Sequence, residues 1–100
     1  MTDDLATAAC EDLATRWLAA EERTRAEPAN EALAEEAVRL GEAYDAAIGA
    51  ASLEDIRLSW EAALRKQAGE EIGSREWADA RRVSELLRTE YEAARDVTVG

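Results

Sequence analysis

The chain has 100 residues, with 23 acidic and 12 basic side chains, a formal net charge of −11 and no histidine. This charge disfavours direct binding to nucleic acid or to an anionic membrane surface, and the lack of histidine removes the commonest general base and metal ligand. The single cysteine, Cys10, excludes an internal disulfide, and no apolar run approaches the roughly 18 residues needed to cross a bilayer.

Alanine dominates the apolar composition. Hydrophobic residues make up 47% of the chain, but 23 of them are alanine and none is phenylalanine. Alanine favours helix because it loses no side-chain entropy there, yet it buries little apolar surface. The composition therefore predicts one strongly helical domain over residues 1–100 with a thin core. Such a domain gains its stability from close helix packing, a partner or a second copy, or it remains marginal.

The first two helices are predicted at about residues 3–26 and 29–49, from apolar residues at three- and four-residue steps. Thr2 or Asp3 is the expected cap of the first helix, and Pro28 ends it. The second helix begins at Pro28 or Ala29, with Asn30 as a competing cap. The predicted apolar stripes are Leu5, Ala9, Leu13, Trp17 and Ala20, then Leu33, Ala37, Leu40, Tyr44 and Ile48.

Small residues mark two features of these helices. Cys10 has Ala9 and Leu13 as neighbours on a helical stripe, so we expect it to be a small buried hydrophobe. Ala37 and Gly41 lie one turn apart near the apolar face of the second helix, although mid-helix glycine costs about 1 kcal/mol relative to alanine. They predict a flat patch that another helix can approach closely.

The last two helices are predicted at about residues 53–68 and 75–95. Ser52 is the expected cap of the third helix, with acidic residues following it, and Gly69 is its expected C-cap. Residues 69–73 form either a short turn around Ile72 or a frayed continuation, and the tail at 97–100 is either frayed or a docking strand. The predicted stripes are Leu53, Ile56, Trp60, Leu64 and Ala68, then Trp77, Ala80, Val83, Leu87, Tyr91 and Ala94.

These patterns predict an all-α fold. Short connections favour antiparallel neighbours, so the four helices are expected to form an antiparallel bundle or two stacked helical hairpins. The acidity is uneven between the halves. Residues 1–51 hold 12 acidic and 4 basic side chains, a net −8, whereas residues 52–100 hold 11 and 8, a net −3.

No motif in the sequence predicts catalysis or cofactor binding. Glycine-rich phosphate loops are absent, and one cysteine without histidine cannot form an ordinary structural zinc site. An all-carboxylate Mg²⁺ or Ca²⁺ site across helices is the alternative left open. A solvated acidic surface is the simpler interpretation of the carboxylates, because adjacent helical residues point about 100° apart. We therefore predict no catalytic, cofactor or metal residues.

Four side chains are candidates for an interface. Leu58 lies about 200° round its helix from Ile56, so it should point away from the apolar stripe. Leu18 and Leu86 widen the stripes of the first and fourth helices, and Trp77 lies near a helix start. A widened stripe can mean a helix buried on two sides or an apolar patch for a partner.

The expected function is a non-enzymatic helical module for protein–protein interaction or assembly, with a protein partner or its own copies as the binding partner. The alternative is an acidic inhibitor or nucleic-acid mimic that blocks a basic nucleic-acid-processing protein. No basic and apolar leader begins the sequence, so we expect a location in the cytoplasm or within a macromolecular assembly.

Overall fold

The computed structural model describes residues 9–99, which form four α-helices and no strand. The helices are α1 (Cys10–Ala26), α2 (Glu31–Ala50), α3 (Leu53–Ala68) and α4 (Arg75–Val99). The predicted all-α class and the pairing of helices into hairpins are confirmed. The described residues divide into two compact units: we call the unit of α1 and α2 hairpin 1, and the unit of α3 and α4 hairpin 2. The single domain over residues 1–100 stays a prediction.

The start of α1 differs from its prediction. Ala9 has an extended backbone with φ −68° and ψ 152° and makes no side-chain cap, so a continuous helix from about residue 3 is wrong. Glu11 and Asp12 lie in the first turn, where carboxylates stabilise the positive end of the helix dipole. The expected cap at Thr2 or Asp3, and the stripe residue Leu5, lie outside the residues that the structure describes.

The turn between α1 and α2 is set by its local sequence. The helix α1 ends at Ala26, before Pro28, as the restriction on the residue preceding a proline predicts. Asn30 then caps α2, because the backbone N–H of Leu33 donates to its side-chain oxygen at 3.3 Å. The competing cap is therefore the correct one, and α2 begins at Glu31 rather than at Ala29.

Hairpin 1 is held by a core rich in small residues. Ala20, Ala37 and Leu40 form a buried cluster against which Trp17 packs. The Trp17 ring stacks on Tyr44 with centroids 5.4 Å apart. Thr24 of α1 donates to the backbone oxygen of Leu33 at 3.2 Å, and Arg23 lies 3.8 Å from Glu36. Cys10 is buried, as predicted.

The predicted flat patch on α2 is confirmed and has a specific occupant. A Cβ atom added to Gly41 would lie 3.0 Å from Nε1 and 3.3 Å from Cε2 of Trp17. The indole ring of α1 therefore rests directly on the α2 backbone. Only glycine leaves this space open, which offsets the cost of glycine inside a helix.

The ends of α3 and the start of α4 follow their sequence signals. The N–H of Asp55 donates to Oγ of Ser52 at 3.1 Å, and Gly69 is the C-cap of α3. A turn through Gly73, with φ +90°, separates the helices, so the frayed continuation is wrong. Ser74 then caps α4 by accepting from the N–H of Trp77 at 3.1 Å.

Hairpin 2 has an aromatic contact and a buried polar contact. Trp60 of α3 and Tyr91 of α4 have ring centroids 5.6 Å apart. The hydroxyl of buried Ser84 donates to Oε1 of Gln67 at 2.8 Å, which satisfies a polar group that would otherwise destabilise the core. The buried apolar side chains of hairpin 2 are Ile56, Ala63, Ala80, Val83 and Leu87.

Two expectations for hairpin 2 are wrong. The sequence pattern places Leu64 in the core stripe, yet 42% of its surface is exposed, and Ala63 is buried instead. The α3 helix therefore turns its smaller side chain inward, where close packing needs less room. The α4 helix continues to Val99, so the predicted helix end at about residue 95 is wrong. The predicted docking strand is wrong for residues 97–99, and Gly100 lies outside the described residues.

Candidate functional site

Leu58 is an exposed apolar side chain on α3. Its exposed fraction is 51%, whereas Ile56, two residues earlier, is buried. The two residues lie on opposite sides of the helix. The sequence-based expectation that Leu58 points away from the core stripe is met, and half of this leucine side chain is open to solvent.

The other three candidate residues are only partly exposed, and they do not join into one surface. Trp77 and Leu86 are nine residues apart on α4, which places them on opposite sides of that helix. The Arg81 guanidinium lies 5.5 Å from the centroid of the Trp77 ring, so this ring already has a cationic neighbour. Leu18 lies on α1, in the other hairpin. An interface role for these residues stays a prediction.

Sequence reasoning missed two exposed apolar side chains. Val38 on α2 is 61% exposed, and Ile72 in the turn of hairpin 2 is 82% exposed. The signal for Val38 is of the same kind as that for Leu58, because Val38 lies well to one side of the stripe that contains Ala37 and Leu40. The sequence predicts a turn around Ile72 but gives no signal that its side chain is a contact residue.

Val38 lies at a shallow open depression of about 390 Å³ on the outer side of α2. All the residues that line it belong to this one helix, and two of them, Ala34 and Val38, are apolar. The lining residues are Ala34, Glu35, Val38, Arg39 and Glu42. We call this set of five residues the α2 outer face.

The surface charges of α2 and α4 are arranged differently. On α4, Arg81 lies 3.0 Å from Glu85, and Arg88 lies 3.0 Å from Glu92. On α2, Glu36 is paired with Arg23 of α1. The remaining α2 carboxylates make no ion pair with any residue in the range 9–99; they are Glu31, Glu35, Glu42 and Asp45. The charge of α2 is thus largely uncompensated.

Arg57 organises the surface of α3. Its guanidinium donates to the carboxylate of Glu54 and, at 2.6 Å, to that of Glu61. The hydrogen bond from Arg57 lowers the pKa of the Glu54 carboxyl, and the positive charge adds to this effect. The same pair raises the pKa of Arg57. Because these groups are exposed, the ion pairs contribute little to the stability of the fold.

Replacing Arg57 by glutamine is expected to raise the pKa of the Glu54 carboxyl, as measured by NMR titration. The folded-state pKa of Glu54 is lowered, so its contribution to stability is present above the unfolded value of about 4.3. That contribution is lost as the pH falls through the folded pKa. As a control, Arg65→Gln should leave the Glu54 pKa unchanged, and an unchanged value in Arg57→Gln would contradict the assignment.

The described residues form neither a metal-binding cluster nor a membrane-spanning helix. Among residues 9–99, no group of three or more Asp, Glu, Cys or His side chains could hold a metal ion. No helix in the same part of the chain combines the length and the apolar character needed to cross a bilayer. Comparison with known proteins finds no matching family model, no matching curated protein and no matching solved structure.

Proposed function

We propose that this protein is a non-enzymatic helical module that binds another protein or its own copies within an assembly. The observation that carries the proposal is the exposure of Leu58 on the side of α3 opposite its buried face. The exposed half of the Leu58 side chain adds no buried apolar area to the fold, but it would add apolar area to an interface that covers it. The small core supports the same function, because a chain with little buried apolar volume gains stability from association.

This function is tested by measuring the molar mass of the protein in solution and by capturing its binding partners. The molar mass of the chain is measured by light scattering over a range of concentrations, and the chain is used to capture proteins from its native source. We expect either a mass that increases with concentration or one captured protein that is identified repeatedly. A monomer at every concentration that captures no partner would contradict the proposal.

Leu58→Gln is expected to weaken the association without changing helix content, because the side chain is already half exposed. Leu64→Gln is the matched control, since it makes the same substitution about 120° away on α3. Circular dichroism and urea unfolding show whether both variants remain folded. If Leu58→Gln associates or captures as the wild type does, Leu58 is not part of the interface.

A second candidate function is an acidic inhibitor of a basic nucleic-acid-processing protein. The observation in its favour is the set of α2 carboxylates that make no ion pair within residues 9–99, Glu31, Glu35, Glu42 and Asp45. Electrostatic attraction of this kind speeds association and weakens as salt is added. Binding to a basic partner that is insensitive to salt between low and moderate ionic strength would rule this candidate out.

A further inference from the structure

The two hairpins repeat one packing pattern. In each, the first helix carries a tryptophan with a buried branched residue four positions before it and a buried alanine three positions after it. The second helix carries a tyrosine with a buried leucine four positions before it, and the tryptophan contacts the tyrosine at 5.4 Å or 5.6 Å. The equivalent positions are Leu13 and Ile56, Trp17 and Trp60, Ala20 and Ala63, Leu40 and Leu87, Tyr44 and Tyr91.

This shared register lets one hairpin serve as a reference for the other. Six residues before its tyrosine, α2 has Val38 and α4 has Glu85. Ten residues before, α2 has Ala34 and α4 has Arg81. The contacts shared by the two hairpins involve the five equivalent positions and not these two outward ones, so they do not require apolar residues there. The internal packing of the hairpins therefore leaves the residue types at these two positions open.

The two surfaces differ in a way that affects binding. In α4 the two positions are Arg81 and Glu85, which form an ion pair at 3.0 Å. Their opposite charges neutralise each other within the helix. In α2 they are Ala34 and Val38, and they line the depression of the α2 outer face. Where α4 has an ion pair on its surface, the equivalent turn of α2 therefore has apolar side chains.

The charges around this apolar turn select the kind of partner. Glu35 and Glu42 line the same depression and have no ion pair within residues 9–99. Arg39 is the one basic residue of α2, so the face keeps a negative balance. An apolar strip beside uncompensated carboxylates is complementary to an apolar strip beside lysine or arginine. Such a ligand is a basic amphipathic helix.

We infer that the α2 outer face is the docking site for a basic amphipathic helix of a partner protein. The inference rests on the proposed interaction function and names the chemistry of the partner. Val38 and Ala34 contact the apolar side of the incoming helix, and Glu35 and Glu42 pair with its basic side chains. A second copy of this chain fits the face poorly, because it carries a net charge of −11 and two of its α4 arginines, Arg81 and Arg88, pair with its own carboxylates.

The probe is a synthetic peptide of leucine and lysine at helical spacing, titrated into the full chain by calorimetry at low and moderate salt. Its control is a peptide of identical composition with the order scrambled so that no apolar face forms. We expect the helical peptide to bind about tenfold tighter than the scrambled one. Equal affinities would mean that charge alone attracts the peptide, and no binding of the helical peptide would mean that the site does not exist; either result overturns the inference.

The repeat supplies a charge-neutral variant of the site. The double substitution Ala34→Arg with Val38→Glu places the α4 ion pair on α2 and keeps the net charge at −11. We expect the affinity for the helical peptide to fall about tenfold, with helix content and the urea midpoint unchanged. The reciprocal control, Arg81→Ala with Glu85→Val, is also charge-neutral and should leave the affinity within about twofold. Equal binding by the wild type and the Ala34→Arg, Val38→Glu variant overturns the inference.

A second pair of variants tests the charges separately. Glu35→Gln with Glu42→Gln removes two carboxylates of the α2 outer face that make no ion pair within residues 9–99, whereas Glu85→Gln with Glu92→Gln removes two paired ones from α4. The first pair should weaken peptide binding more than the second at low salt, and the difference should shrink as salt rises. Equal losses would show that only the net charge matters and would contradict docking at this face.

The capture experiment separates failure of this inference from failure of the proposed function. If the wild type and the Ala34→Arg, Val38→Glu variant capture the same partner equally well, the interaction function stands and the α2 outer face is not its site. If the wild type is monomeric and captures nothing, the interaction function itself fails, whatever the peptide does.

Discussion

Replacing Leu87 by alanine is expected to lower the free energy of unfolding by about 2–5 kcal/mol. Leu87 has no exposed surface, so the substitution removes apolar area from the core and leaves a cavity. A protein of this size is stable by about 5–15 kcal/mol, and five of the twelve buried apolar residues in the range 9–99 are alanine, so few large side chains form the core. Urea unfolding followed by circular dichroism measures the change.

Leu64→Ala is the matched control on the other helix of the same hairpin. Leu64 is exposed over 42% of its surface, so its truncation should cost less than about 1 kcal/mol. Leu87→Met keeps the volume and should cost less than about 1.5 kcal/mol, which keeps the comparison possible if Leu87→Ala does not fold. Similar losses for Leu64→Ala and Leu87→Ala would contradict the assignment of the core.

Replacing Gly41 by valine is expected to destabilise the fold by about 1–3 kcal/mol. An added Cβ would already lie 3.0 Å from Nε1 of Trp17, and the two γ-methyl groups of valine extend further. Trp17 cannot move freely because its ring stacks on Tyr44 at 5.4 Å. The free energy of unfolding measures the loss, and the tryptophan emission spectrum reports the displacement of the ring.

Gly49→Val makes the same change in the same helix, where an added Cβ meets nothing within 4 Å. Valine has a slightly higher helix propensity than glycine, so this variant should be neutral or more stable by a few tenths of a kcal/mol. If Gly41→Val were equally harmless, Trp17 would not be in contact with the α2 backbone as the structure has it.

The small core explains why these two substitutions have the largest expected effects. Among residues 9–99, twelve apolar residues are buried and five of them are alanine: Ala14, Ala20, Ala37, Ala63 and Ala80. Alanine brings helix backbones close together but contributes little area. Each large buried side chain therefore contributes an unusually large share of the stability. The same holds for a position such as Gly41, where a side chain of one helix contacts the backbone of the other.

Local signals predicted most of the helix boundaries. Ser52 and Asn30 offer side-chain acceptors that the first-turn N–H groups need, and both act as caps. Gly69 ends α3 as expected. The failures occur where no strong signal exists: alanine at position 9 neither starts nor stops a helix by itself, and the β-branched tail of α4 costs only tenths of a kcal/mol per residue as helix.

Periodicity predicted which sides of the helices are apolar, but not how far each stripe turns inward. Leu64 and Ala63 differ by about 100° around α3, and either could complete the stripe with Ile56 and Trp60. The packed hairpin buries Ala63 and leaves Leu64 partly exposed. A sequence pattern cannot decide between neighbours, because the decision depends on how closely the partner helix approaches.

The candidate surface was predictable only in part. Leu58 could be found from its angle on α3 alone. The α2 outer face could not, because a valine and an alanine among carboxylates look like an ordinary helix surface. The aromatic contacts make Tyr44 and Tyr91 equivalent. Arg81 and Glu85 of α4 then match Ala34 and Val38 of α2, and this comparison distinguishes the α2 outer face.

The sequence by itself determined the helical class, the acidity, the lack of histidine chemistry and most of the helix ends, since all of these depend on residue type and local hydrogen bonding. The tertiary structure alone decided that Trp17 rests on Gly41, that Ala63 is buried in place of Leu64, and which carboxylates make no ion pair within residues 9–99. These outcomes depend on distances between residues far apart in the chain, and such distances are set only when the helices pack.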